Sequence, residues 1–350
     1  MTLTTRITTP ELLTAQELQV WSDIQRCDPT LESPYFHPEF TRAVGRVRSD
    51  VEVAVIEQAG QPVGFLPYQR GALGIGKPVG GKLSDYQGVI AAAGVPWSPE
   101  QLVRDARLAC YDFDHLVASQ AQFATHATES GGSPYLDLSA GYDAYCRGRK
   151  QAGTDVITRT MQKSRKMERE VGALEFVAHT TDASILETLR RWKSVQYLQT
   201  GLSDVFAFPW TVALLEDLLA HPAEDFSPLL SVLQIGSRPV AITYSIRSRG
   251  CVHSWFTAYD KEFAAYSPGV ILFLRMAQES ERLGITKIDL GKGDERYKSS
   301  LASATTELIE GSVRGTAVGL MLRDGWRKSR DWLPTTAGWI RPLREWLAFR

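Results

Sequence analysis

Apolar positions recur along this chain with two spacings, one helical and one alternating, and the places where they exchange mark its elements. Leu12, Leu13, Leu18, Val20, Trp21 and Ile24 supply the apolar positions of a helix from Pro10 to Arg26. The proline-bounded Ser33-Pro34-Tyr35-Phe36-His37-Pro38 segment is extended, and a short helix follows from Phe40 to Val47. Val51–Ile56 and Pro62–Tyr68 flank a turn at Ala59-Gly60-Gln61, the signature of a strand hairpin. A loop from Val79 to Ile90, a helix from Glu100 to Ala109 and short strands at His115–Ala118 and Tyr135–Leu138 complete the first part.

Beyond residue 140, Tyr142 to Val171 is polar and basic, and is expected to be helical. Its cationic face, with Arg159, Lys163, Arg165, Lys166 and Arg169, is either solvated or holds an anion. A strand at Phe176–Ala178 and helices at Ile185–Leu198 and Trp210–Leu219 come next. A second hairpin, Leu229–Ile235 with Pro239–Tyr244, is extended by a third strand, Cys251–Tyr259. Ser267 is suited to cap a helix whose first residue is Pro268, and Gly284 to end it. Val270, Ile271, Leu272, Phe273, Leu274, Met276 and Ala277 make that helix apolar almost all round, hence buried. Ile285, Ile288 and Leu290 then mark a strand. It ends in Gly291-Lys292-Gly293-Asp294-Glu295-Arg296-Tyr297-Lys298, where a plain turn needs the glycines but not the polar groups. The order of elements predicts an α+β fold with mixed sheets and packed helices.

The two hairpins share a glycine turn, a Pro-Val pair after it and a small residue next. Pro62 and Pro239 are 177 residues apart, about half the chain, which suggests two copies of one domain side by side. The expected division is 1–140, 141–323 and a tail over 324–350.

Composition narrows the classes. With 43% apolar and 23% charged residues the chain reads as globular, and a net charge of −1 leaves no footprint for nucleic acid. Cys27, Cys110, Cys146 and Cys251 are scattered without CxxC, so neither zinc nor a disulfide frame is expected, and a reducing compartment fits. MTLTTRITTPELLT has no apolar core for a signal peptide. The expected location is therefore cytoplasmic. The tail holds Trp326, Trp332, Trp339 and Trp346 among arginines and lysines. Packing over the core and resting peripherally on the inner membrane or a synthase complex are both open for it. Gly71–Lys77 imitates a phosphate loop, but Pro78 stands where the magnesium-binding hydroxyl must be.

Tyr259–Asp260, Ser267–Gly269 and Asp289–Lys298 resemble the CelD/BcsL branch of the GNAT acyltransferase superfamily. These proteins have a BioF2-like acetyltransferase domain and are found with cellulose or other exopolysaccharide genes. Phe36-His37-Pro38, Ser84-Asp85-Tyr86, the basic helix around Arg165 to Arg169 and Lys193 support the resemblance, which covers most of the chain. Two GNAT-like halves, as in the related FemAB proteins, account for the repeat.

The resemblance implies transfer of an acyl group, acetyl first, from acyl-CoA to an amine or hydroxyl of a small or saccharide-linked acceptor, without a metal. Such a reaction needs a base, oxyanion donors and an acid for the leaving thiolate. Asp294 or Glu295 is the candidate base, Tyr297 the acid, and Lys298 a partner for phosphate or carboxylate. His253, expected to share a strand face with Trp255 and Thr257, is either a base facing the cleft or a core histidine. Lys193 and Gln196 share a helix face and, with Tyr259, Asp85 and Tyr86, are candidate substrate contacts. The pyrophosphate loop that usually precedes the central GNAT helix is replaced here by Ala265–Val270. Ser267, Gly269 and Val270 at the helix start are then the candidates for holding the cofactor. Two alternatives stay open: FemAB-like aminoacyl transfer from tRNA, and a non-catalytic subunit of a polysaccharide-synthesis complex.

Overall fold

The computed structural model describes residues 2–293 and 295–315. Asp294 and the tail over 324–350 lie outside the described residues. The chain forms two compact units, one from residues up to Gly131 together with those from Glu307 onward, the other from Gly132 to Thr306.

In the first unit β1 (Leu3–Thr8), β2 (Val51–Gln58), β3 (Gln61–Arg70), β4 (Ile75–Lys77), β5 (Ile90–Ala91) and β6 (Cys110–Val117) alternate with α1 (Ala15–Cys27), α2 (Pro38–Val47) and α3 (Pro99–Asp105). β7 (Ala127–Asp137) leads the chain into the second unit, which holds α4 (Tyr142–Gln151), α5 (Val156–Glu170), β8 (Leu174–Val177), α6 (Ala183–Thr200), α7 (Pro209–Ala220), β9 (Phe226–Ile235), β10 (Arg238–Ser248), β11 (Cys251–Tyr259), α8 (Pro268–Gln278), α9 (Ser280–Leu283), β12 (Lys287–Asp289) and α10 (Arg296–Leu301). β13 (Ala304–Arg314) returns it to the first. Strand order is β1-β2-β3-β4-β6-β13 in the first unit, with β5 on β3, and β7-β12-β11-β10-β9-β8 in the second. The α+β expectation holds.

Two expected helices are each interrupted. The Pro10 segment is only a 3-10 turn, because Thr14 and Glu17 form a capping box that starts α1 at Ala15. Between α4 and α5 the chain turns through Gly153 at φ +77, a conformation that favours glycine.

The repeat seen in sequence is carried in the backbone. In the first hairpin Ile56 pairs with Gly64 and Glu57 with Pro62, which leaves Val63 as an extra residue, a β-bulge. In the second, Leu233 pairs with Ala241 and Gln234 with Pro239, which leaves Val240. Each unit also contains one parallel pair bridged by a crossover helix, as parallel pairing requires. Ile75–Gly76 run beside Cys110–Tyr111 with α3 between them in sequence, and Cys251–His253 run beside Lys287–Asp289 with α8 and α9 between. The second core gathers Leu233, Val240, Val252 and Ile288 from the strands against Ile271, Leu272, Phe273 and Met276 of α8.

Candidate functional site

The parallel pair β11–β12 stops being a pair at His253 and Asp289, after which β11 runs on to Tyr259 while β12 ends. The last β12 residue, Asp289, is 1% exposed. Its Oδ1 accepts from Ser133 Oγ at 2.6 Å and from the Gly291 N–H at 2.9 Å, and lies 3.2 Å from His253 Nδ1. A buried carboxylate persists only with such partners. Here they fix the turn at Gly291, where φ is +74 and a Cβ would be strained.

That turn carries the polar corner. Lys298, 7% exposed, sends Nζ back to the carbonyls of Gly291 (3.3 Å) and Lys292 (3.1 Å), and pairs with Glu295 Oε2 at 3.1 Å. Gly293 is required between them, since a Cβ there would fall 2.8 Å from Lys298 Nζ and even closer to Glu295. Glu295 occupies the N-cap position of α10, a helix unforeseen in the sequence. Tyr297 stacks on Phe273 of α8, ring centroids 6.4 Å apart. Burial and the Glu295 charge hold its hydroxyl well above the ordinary phenol range, so it stays protonated.

Lys193 of α6 feels the charges of Lys298 and Glu295. Its partly buried amine lies 4.7 Å over the Tyr197 ring and donates to Gln196 Oε1 at 3.2 Å. Burial and the neighbouring Lys298 ammonium push it down to about 8, against a smaller opposing pull from Glu295. The corner thus joins an ion-paired lysine to a hydroxyl donor.

One expectation is corrected. His253 does not share a face with Thr257. Tyr244 pairs with Phe256 and Ser245 with Ser254, which leaves Trp255 as a bulge that reverses the alternation. Accordingly Ser254 Oγ lies 3.0 Å from Thr257 Oγ1, and Thr243 links to both. His253, 0% exposed, lies with Asp289.

The start of α8 also differs from expectation. Ser267 does stand at the N-cap position, but its backbone is left-handed (φ 58, ψ 54) and its side chain caps nothing. Its Oγ instead accepts from Lys163 Nζ of α5 at 2.8 Å. Val270 N–H bonds to Ser267 O at 3.0 Å, and the Val270 side chain packs against the core. A Cβ added at Gly269 would meet Thr257 and Tyr259 at 3.8 Å, an ordinary van der Waals contact, so the structure brings Gly269 beside Thr257 and the exposed Tyr259.

Asp85 and Tyr86 belong to the first unit. The Tyr86 ring is 4% exposed among Tyr35 and Phe36 and is a core residue there. Asp85 lies 4.0 Å from His115 Nε2, while His115 Nδ1 is 3.0 Å from Asp114. His37 caps α2 by accepting from the Glu39 N–H. Sequence reasoning missed Asp289 as a site member, although an acid inside Ile288-Asp289-Leu290 signals a buried partner. For Ser133, separated from Asp289 by 156 positions, there was no signal. Among the described residues no group of three or more His, Cys, Asp or Glu could hold a metal ion, and no helix is long and apolar enough to cross a membrane.

The profile of the acetyltransferase (GNAT) domain family matches residues 155–299, which include α5 to α8 and the polar corner. No curated protein matches the sequence. Among solved structures, FemX aligns over 91% of this chain and 99% of its own, with TM-score 0.60 and 9% identity. The C-terminal domain (DUF2156) of a putative lysylphosphatidylglycerol synthetase from Agrobacterium fabrum aligns over 89% and 96%, with TM-score 0.55 and 14% identity. A tandem GNAT protein from the clavulanic acid biosynthesis pathway aligns over 89% and 98%, with TM-score 0.51 and 9% identity. These likenesses establish the fold: tandem GNAT, FemX-like, as the repeat led one to expect.

Proposed function

We propose that this protein is an acyltransferase that moves an acyl group, acetyl first, from an acyl-CoA thioester to an amine or hydroxyl, at the corner where β12 meets α10. The observation that carries the reading is the pinned Gly291–Lys298 turn. It sets the ion-paired Lys298 and the protonated Tyr297 phenol at the parting ends of a parallel strand pair. Positioned donors of this kind stabilise the charge that develops on a thioester oxygen. Tyr297 supplies a hydroxyl donor and Lys298 a fixed positive charge. Glu295, tied to Lys298, serves as that cation's charge partner. Asp289, with His253 and Ser133, positions the turn without touching substrate.

The start of α8 fits an anionic carrier. Helix N-termini attract phosphate, the Ser267 side chain leaves the position uncapped, Gly269 adds no bulk, and Lys163 stands beside it. The carrier's role would be to deliver the acyl thioester, with Ser267, Gly269 and Lys163 beside its phosphates; Val270, whose N–H is bonded to Ser267 O, takes no part. The CelD/BcsL resemblance supports a saccharide-linked acceptor. The FemAB resemblance supports a second reading, aminoacyl transfer from tRNA. Filter binding at low and high salt separates the two.

The test is thiol release from a panel of acyl-CoA substrates with amino-sugar and polyol acceptors. Tyr297→Phe and Lys298→Met are each expected to lower turnover about 100-fold, in the range of losing one oxyanion donor. Full turnover in both variants would place the chemistry elsewhere.

A further inference from the structure

We infer that the outward face of the α4–α5 segment is a surface that docks on an anionic phospholipid bilayer. The inference is independent of the acyl-transfer reading. Eight basic and four acidic residues between Tyr142 and Val171 give this segment a charge of +4, in a chain whose net charge is −1. The near-neutral total therefore conceals a segregated distribution, the usual mark of a surface that meets an anionic partner.

Packing decides which way the charges point. Thr160, Ser164 and Met167 of α5 are buried, and Arg275 and Gln278 of α8 reach Glu168 (2.9 Å) and Met161 (3.8 Å) on that side. Arg159, Lys163, Arg165, Lys166 and Arg169 are exposed on the rest of the helix, and Arg147 and Lys150 are exposed on α4. The acids of α5 are engaged elsewhere or shared. Glu168 is paired with Arg275, and Glu170 accepts from the Tyr266 hydroxyl at 2.8 Å while lying 4.0 Å from Lys166 and 3.5 Å from Arg169. Arg159 pairs with Asp155 at 2.6 Å. Lys163 donates to Ser267 Oγ, a neutral acceptor. Arg147, Lys150 and Arg165 meet no carboxylate among the described residues.

The remaining side chains select the partner. No residue exposed between Tyr142 and Val171 is aromatic, because Tyr145 is buried and Tyr142 packs on the same core. A single-stranded nucleic acid is held by rings that stack on its bases as well as by charge, and this face offers no ring. The headgroup phosphates of a bilayer require only positive charges on long, adaptable stems, and each basic residue near such a surface strengthens binding about fivefold. Val171, 41% exposed at the end of α5, adds an aliphatic side chain to the margin of the charged face.

Co-sedimentation of the full-length protein with lipid vesicles tests this. Binding is expected to vesicles of phosphatidylcholine mixed with phosphatidylglycerol at low salt, and should weaken at high salt or on phosphatidylcholine alone. The double variant Arg165→Gln/Arg169→Gln, changed only at exposed side chains, should bind about 25-fold less tightly, and Lys150→Gln added to it should widen the loss to about 100-fold. Arg26→Gln, at an exposed arginine of the first unit, should bind as the wild type does. Every variant keeps the basic tail over 324–350, so the differences read the α4–α5 face alone. A wild-type protein that ignores the anionic vesicles overturns the inference, as does undiminished binding by the double and triple variants. Salt-sensitive filter binding of RNA that the same substitutions abolish, without vesicle binding, would overturn it in favour of a nucleic-acid partner.

Discussion

The two units follow one plan and part company at the mouth of one helix. Both have a hairpin with its bulge at the valine of a Pro-Val pair. Both continue into a parallel pair whose crossover helix opens with Ser-Pro. In the first, Ser98 accepts from the Gln101 N–H at 3.2 Å, so the N-terminus of α3 is closed by its own serine and the helix stops after 7 residues. In the second, Ser267 is turned into the left-handed region, its hydroxyl is engaged by Lys163, and α8 runs 11 residues through the core. The parallel pairings end differently: the first at Gly76 and Tyr111, near the start of β6, the second at His253 and Asp289, the last residue of β12. The same architecture has become a capped structural lobe in one copy and an open-mouthed one in the other. This difference marks the mouth of α8 as the place to test the proposed carrier.

Substitutions at matched positions sharpen or break this comparison. The largest effect is expected from Asp289→Ala, which strands Ser133 and the Gly291 turn. Removing one partner of a buried, hydrogen-bonded cluster costs about 3–5 kcal/mol, read as a fall in denaturant midpoint. Asp112→Ala should cost well under half of that, because Asp112 is only partly buried. Equal losses would erase the distinction between the strand ends.

Gly293→Ala comes next. Its Cβ would push Lys298 and Glu295 apart, and displacement of a reacting group by an ångström lowers turnover about 100-fold. Thiol release measures it, and near-normal rates would show that the corner is not the site.

Smaller, and opposite in character, are the two serines. Ser98→Ala should lose about 1 kcal/mol of stability, the ordinary value of a cap, with coenzyme A affinity unchanged. Ser267→Ala should leave stability unchanged within error. Identical thermal shifts would mean that both helices are capped alike.

The last comparison concerns Lys193. Its amine is lowered to about 8 by burial and Lys298, below the unfolded value of about 10.4. Between these two pH values the unfolded chain holds more protons, so stability rises with pH through that window. Lys193→Met should therefore raise Tm at pH 7, and the gain should fade above about pH 10. A gain independent of pH would mean that the amine titrates normally.

Much of the fold was legible because it is written in local chemistry: the glycine turns, the Pro-Val pairs, Ser267-Pro268 and the all-round apolar run of α8. The polar corner was legible for the same reason, since Gly291 to Lys298 has more charge than a turn requires. What escaped was non-local. The partnership of Ser133 with Asp289 has no sequence signature. The bulge at Trp255 inserts one residue into an otherwise regular alternation, so period-two reasoning put His253 on the wrong face. The division of Tyr142–Val171 into two helices turned on Gly153. Propensity scales penalise glycine in a helix, but they do not say which glycine will adopt a positive φ.

Calorimetric titration of coenzyme A into the wild-type protein and a Gly269→Asp variant tests the open helix mouth most directly. A Cβ at Gly269 meets only ordinary contacts, so the variant is expected to fold, which its Tm checks. Its carboxylate would stand beside the position proposed for the carrier's phosphates, and affinity should fall at least about tenfold, the equivalent of about 1.4 kcal/mol. Equal affinity in the two proteins would contradict the account.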